Sequence, residues 1–247
     1  DGTITAFGKA VLYSLLLFAA GAFVEAQVFG RRIARSFVVA RIQENPVGYV
    51  EKMPFLIFRF LLGVVGILVS MVVAYILGFV IFGQLTDTAM QFTAALINIA
   101  YFTCRFIAGL WRMILSPFLS QYRRPALTDA EAKRLHRWLW ILASLDICSI
   151  LFGVWIGELG LNYDVYAFLF SVMSAVIVLL NILLVLVNRR AISNAMRNGR
   201  SPSESSFIIR TLARVWAPAV ILYVLLAWFN LTFDLVLANP STFPLIA

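Results

Sequence analysis

Six apolar runs alternate along the chain with clusters of charge: residues 10–30, 60–86, 88–104, 138–157, 165–188 and 215–233, each 17 to 27 residues long by its numbering. A hydrocarbon core of about 30 Å takes about 20 helical residues, and lengths from roughly 17 to 25 are accommodated before tilt absorbs the excess. All six runs therefore predict spanning helices. The third is short only because it is cut at Arg105. Its apolar pattern continues to Trp111, so a helix is predicted over 89–114, with the long Arg105 side chain reaching the interface. Glu25 and Asp146 are the only acids inside the runs, and in a solvent without hydrogen bonds each backbone must satisfy itself as helix. None of the runs shows the period-2 alternation of a barrel strand. The expected fold is all-α, a polytopic integral membrane protein of six transmembrane helices.

Composition agrees. Of 247 residues, 62% are apolar and 13% charged, and mean hydropathy is +0.92. A soluble domain carries roughly 45–50% apolar and about 25% charged residues, and a soluble fold of this length could not hide the surplus. Disordered, coiled-coil, nucleic-acid-binding and disulfide-rich secreted classes are excluded on the same grounds.

Basic residues orient the helices. Nineteen of the 20 Lys and Arg residues flank the first, third and fifth connections, leaving Lys9 with Asp1, Asp87, Glu158, Asp164 and Asp234 on the other side. The positive-inside rule makes the basic connections cytoplasmic and places both ends of the chain outside. Trp111, Trp138, Trp140 and Trp216 cluster at the basic ends, while Trp155 and Trp228 lie near the other, as two aromatic belts require.

The spans pair into three predicted hairpins, about 7–83, 88–159 and 163–237, with long cytoplasmic connections and short outward turns near 84–88 and 159–164. A weak internal repeat sets Phe29-Gly30-Arg31-Arg32 beside Val187-Asn188-Arg189-Arg190. In the first connection, Arg31, Arg32 and Arg35 project to one side of a helix and Ile33, Phe37 and Ala40 to another, predicting an interfacial helix, after which Pro46 and Pro54 bracket the return into the membrane. In the second, Thr128 to Glu131 is a capping-box pattern that opens the fourth helix. In the third, Asn198-Gly199 ends one helix and Ser203 is expected to begin the next. Small residues recur every fourth position at Gly66, Ser70, Ala74 and Gly78, and at Ala22, Ala26 and Gly30. Such stripes let helix backbones approach closely, so spans one and two are expected to pack through them.

Catalytic chemistry has little to stand on. His136 is the only histidine and reads as a solvated or interfacial residue; Cys104 and Cys148 read as small buried apolar residues with no second pair for a zinc site. No phosphate loop, HExxH pattern or served nucleophile occurs, so no enzyme activity, cofactor, metal or small-molecule substrate is expected. Asp146 lies near mid-membrane and is a candidate polar site, with Asn98 and Asn181 as hydrogen-bond partners when protonated; Glu25 is expected to find a charge at the inner interface, Arg31 being nearby. Pro218 is a candidate hinge, because a proline inside a helix deletes a backbone bond and displaces the Arg214 carbonyl. Arg31, Arg32, Arg189 and Arg190, with Trp138, Trp140 and Trp216, are candidate contacts to lipid headgroups.

Arg112-Met113-Ile114-Leu115-Ser116-Pro117, Arg123-Arg124-Pro125, Thr128 to Glu131, Arg137-Trp138-Leu139 and Leu142-Ala143-Ser144-Leu145, followed by Phe207 to Arg210 and Arg214 to Phe229, resemble the amino-terminal membrane region of large, multi-helix bacterial channels. These belong to the small-conductance mechanosensitive (MscS) family. The resemblance covers about 105–237. It implies a homo-oligomer, a heptamer in the family, in the bacterial inner membrane, whose peripheral helices sense tension and protect against hypo-osmotic shock. Family members end in a Gly- and Ala-rich pore helix and a soluble cytoplasmic vestibule. Nothing of the kind precedes Ala247, and the chain stops soon after Pro240 and Pro244, so it reads as an interior piece of a longer protein. The rival expectation is a small six-helix secondary transporter with Asp146 at its site.

Overall fold

The computed structural model describes residues 3–41, 48–83, 88–123, 125–158, 160, 162–201 and 203–237; Asp1, Pro46, Asp87, Arg124, Pro240 and Pro244 lie outside them. The described residues are almost wholly helical. Helix α1 spans Thr3–Val24 and passes into a π-helix over Glu25–Ala34 and a short α2, Arg35–Val39. Then follow α3 (Gly48–Phe82), α4 (Thr88–Leu115), a 3₁₀ turn (Ser120–Tyr122), α5 (Asp129–Glu158), α6 (Tyr163–Met196) and α7 (Phe207–Val236). Among the described residues, six helices are long and apolar enough to cross a membrane.

Two compact units divide the chain, 1–114 and 115–247. Their boundary falls within the expected 88–159 hairpin. In the first unit α1 packs on α3, and in the second α6 packs on both α5 and α7.

The predicted interfacial helix after Gly30 does not separate from the membrane helix. Instead the chain stays helical to Val39, with the Arg35 N–H bonding the Gly30 carbonyl five residues back. Wider turns keep the backbone satisfied while changing which side chains face which neighbour. Pro54 also lies within a helix, in the second turn of α3, where its missing N–H removes the bond an ordinary residue would make to the Val50 carbonyl.

At the start of α5 the capping box forms as its sequence requires. The Thr128 N–H and hydroxyl both donate to Glu131 Oε2, at 2.9 and 2.8 Å, and the Glu131 N–H returns a 3.3 Å bond to the Thr128 hydroxyl. Just before it, Arg123 organises the loop. Its guanidinium donates to the carbonyls of Leu115, Ser116 and Leu127 and pairs with Asp129 at 2.7 Å. Buried Ser116, Pro117 and Tyr122 fill the loop's interior.

Helix α6 ends in a Schellman turn: the Asn198 N–H bonds the Ala195 carbonyl and the Gly199 N–H reaches the Asn194 carbonyl, with both residues at positive φ. The next helix begins later than Ser203. Ser206 is the N-cap of α7, its hydroxyl accepting from the Ile209 N–H, because only there can a hydroxyl reach the free N–H groups of the first turn that starts at Phe207. Helix α7 continues through Pro218 without a break.

Candidate functional site

Close backbone approach prepares a polar site inside the first unit. Gly21 of α1 lies so near α3 that a Cβ there would overlap the Ser70 carbonyl oxygen. Gly66, one turn away on α3, leaves room for Glu25, whose Oε1 would be 3.0 Å from a Cβ at that position. Into this gap α4 sends Arg105. Its Nη1 and Nη2 donate to the two carboxylate oxygens of Glu25, the latter at 2.8 Å, making a bidentate pair.

The network extends beyond the charges. Arg105 Nη1 also donates to the Tyr101 hydroxyl at 2.7 Å, and that hydroxyl shares a 2.6 Å bond with the Oγ of fully buried Ser70. Phe18 of α1 stacks on the Tyr101 ring at 4.5 Å, and Phe60 of α3 meets Phe106 of α4 edge-on. Residues from the α1–π segment, α3 and α4 thus close one polar cluster within the candidate spans. Two opposite charges there satisfy each other, which is the condition for tolerating ions away from water.

Sequence reasoning singled out Glu25 but not this arrangement. Its partner is Arg105 rather than Arg31, which is exposed. On α3, Gly66, Ser70 and Ala74 are buried and Gly78 meets Leu17 of α1. The facing surface of the first helix differs from the stripe read from spacing: Ala26 is exposed and Ala22 half-buried, whereas Leu17, Phe18, Gly21, Glu25 and Phe29 meet α3 or α4.

In the second unit Asp146 is half-buried on the α5 face that carries buried Leu142, Ser149 and Gly153. It makes no hydrogen bond or ion pair with another described residue. The amides expected to serve it turn back on their own helices, Asn98 to the Ala94 carbonyl and Asn181 to the Ile177 carbonyl.

Two of the three tryptophans assigned to the headgroup level are held in the helix interface. Trp138 and Trp216 pack against the cluster of Leu142, Leu184, Val185 and Ala217, and the Trp216 indole donates to Ser193 Oγ at 2.8 Å. Trp140 is exposed, as are Arg31, Arg32, Arg189, Arg190 and Pro218. His136 is half-buried, with its ring edge-on to Phe118. Cys104 is half-buried, but Cys148, expected inside, is exposed, because it lies off the α5 face that meets α6.

No protein-family model, curated protein or solved structure matches this chain.

Proposed function

We propose that this chain is the peripheral membrane region of a mechanosensitive channel of the MscS type, with its basic connections cytoplasmic and both ends outside. In this reading its six helices surround the pore of a homo-oligomeric ring, seven-fold by resemblance, in a bacterial inner membrane. The observation that carries the reading is exposure. At most 22% of any spanning window is buried within the chain, and long apolar faces such as Leu61, Val65, Leu68 and Val72 on α3 look outward. Helices that offer this much surface to lipid couple their arrangement to bilayer thickness and area, so tension favours whichever state suits the stretched bilayer. The resemblance over 105–237 supplies the family.

The experiment is a patch-clamp recording from cells that lack their own mechanosensitive channels and express the full reading frame containing this chain. Suction steps are expected to open discrete currents, and the same cells are expected to survive hypo-osmotic shock. Normal expression with no tension-gated current would overturn the reading, and proton-coupled uptake in its place would establish the transporter. A cysteine at exposed Ser201, introduced after replacing Cys104 and Cys148, tests orientation. An impermeant thiol reagent is expected to label it in inverted vesicles, and labelling in intact spheroplasts would reverse the topology.

A further inference from the structure

At the basic end of the second unit, three helix ends border an open cleft of about 600 Å³. Arg189, Arg190 and Arg197 line it from the last turns of α6, Arg210 and Arg214 from the first turns of α7, and Glu131 from the start of α5. The volume lies within the range of ligand pockets, roughly 300–1,000 Å³. Its floor is fixed: Ser193 Oγ donates to the Ala213 carbonyl across α6 and α7 at 2.8 Å and accepts from Trp216.

The charge in this cleft is not balanced. Five guanidinium groups face one carboxylate, and Oε2 of that carboxylate already accepts both Thr128 donors of the capping box. None of the five arginines forms an ion pair with a described residue, and Arg197 Nε is buried without a hydrogen-bond partner. Guanidinium forks from two helices converging on one space match the tetrahedral oxygens of a phosphate, which accepts paired N–H donors and neutralises their mutual repulsion.

Beside the arginines, the first turns of α7 present apolar residues outward. Phe207 is 79% exposed and Ile208 75%, with Leu212 beside them. A pocket of positive charge with an apolar lip suits an amphiphile whose phosphate enters and whose chains lie along the helix.

We propose that this cleft binds a phosphate group, of the kind an anionic phospholipid presents at the inner surface. The inference uses only the second unit's geometry and stands whether the protein is a channel or a transporter.

The test uses the full-length protein in nanodiscs of phosphatidylcholine with added phosphatidylglycerol, bound lipid being counted by native mass spectrometry. The wild type is expected to retain phosphatidylglycerol over phosphatidylcholine by about tenfold or more. Arg189→Gln with Arg214→Gln should abolish that preference. Arg137→Gln with Arg200→Gln removes the same charge from exposed positions outside the cleft and should change retention less than about twofold. Inorganic phosphate added at millimolar concentration separates the sources. Displacement of the lipid means that the phosphate group alone suffices, and persistence means that the headgroup and its chains are required; either outcome supports the site. Equal losses in the two double variants, or no preference for phosphatidylglycerol together with no binding of inorganic phosphate, would overturn it.

Discussion

In the first unit charge does the joining: Glu25, Arg105, Tyr101 and Ser70 link three helices, while Gly21 and Gly66 bring the backbones close enough for them to meet. The second unit ties its helices near both ends: toward the basic end Ser193 bonds Ala213 and Trp216 and Arg134 donates to the fully buried Asn188, and at the other end the Tyr163 hydroxyl donates to the Leu235 carbonyl. Deeper in the same unit, apolar side chains meet and Asp146 is left without a partner. Lipid is as apolar as leucine, so burial alone drives helices together weakly, and close packing and hydrogen bonds must supply the difference. The contrast teaches where each unit can fail. Removing one group from the first unit strands a charge, whereas most single changes in the second only loosen packing.

The sharpest way to break that contrast is Arg105→Gln. It leaves half-buried Glu25 beside Gly66 with no counter-charge, and a loss of about 2 kcal/mol in stability is expected, below the roughly 3–5 of a fully buried pair because Arg105 is partly exposed. Glu25→Gln combined with Arg105→Gln should recover part of that loss, because two neutral amides replace an orphaned ion. Thermal unfolding in detergent measures both. A double variant worse than Arg105→Gln alone would mean that the pair contributes through its charge rather than by neutralising it.

A smaller effect is expected from Gly21→Ala, about 1–3 kcal/mol, because the added methyl group meets the Ser70 backbone carbonyl and a helix must shift. Gly153→Ala is its counterpart in the second unit. There the new Cβ would stand 2.8 Å from a carbon of the Phe170 ring, a side chain that can turn, so less than about 1 kcal/mol is expected. Equal losses in the two variants would show that the units are packed with equal rigidity.

The elements of this fold were legible because the signals are local. Apolar length located the six helices, the Thr128–Glu131 spacing located the start of α5, and Asn198-Gly199 marked the end of α6. The small residues on α3 were legible too, since an uninterrupted α-helix keeps positions four apart near one face. On the first helix the same rule misled. Its stripe of Ala22, Ala26 and Gly30 lies one position beyond the residues that face α3 and α4, Gly21, Glu25 and Phe29, and one residue along a helix is a turn of about 100°. Nor does a sequence say which helices meet. Glu25 and Arg105 are 80 residues apart, and their pairing follows from the packing of three helices rather than from either neighbourhood. The phosphate cleft was half legible. Arg189 and Arg190 were singled out by their place at a helix end, but Arg197, Arg210 and Arg214 join them only because a Schellman turn reverses the chain.

The smallest effect is expected at Asp146, and it sharpens both the comparison and the functional reading. A carboxylate with no hydrogen-bonding partner among the described residues has no native bond for an amide to lose. Asparagine also has nearly the same shape and keeps both donor and acceptor capacity without the ability to ionise. Asp146→Asn should therefore change thermal stability by no more than about 0.5 kcal/mol, far less than Arg105→Gln. If these helices respond to the bilayer while ions pass elsewhere, the variant should also keep tension-gated current, single-channel conductance and survival of osmotic downshock. A proton relay behaves differently, since its acid must gain and release a proton in each cycle and asparagine cannot. Loss of all flux with normal expression and assembly would place Asp146 in the transport path and sink the peripheral-sensor reading. Unchanged current with markedly lower stability would instead assign Asp146 a structural bond and bring the second unit closer in kind to the first.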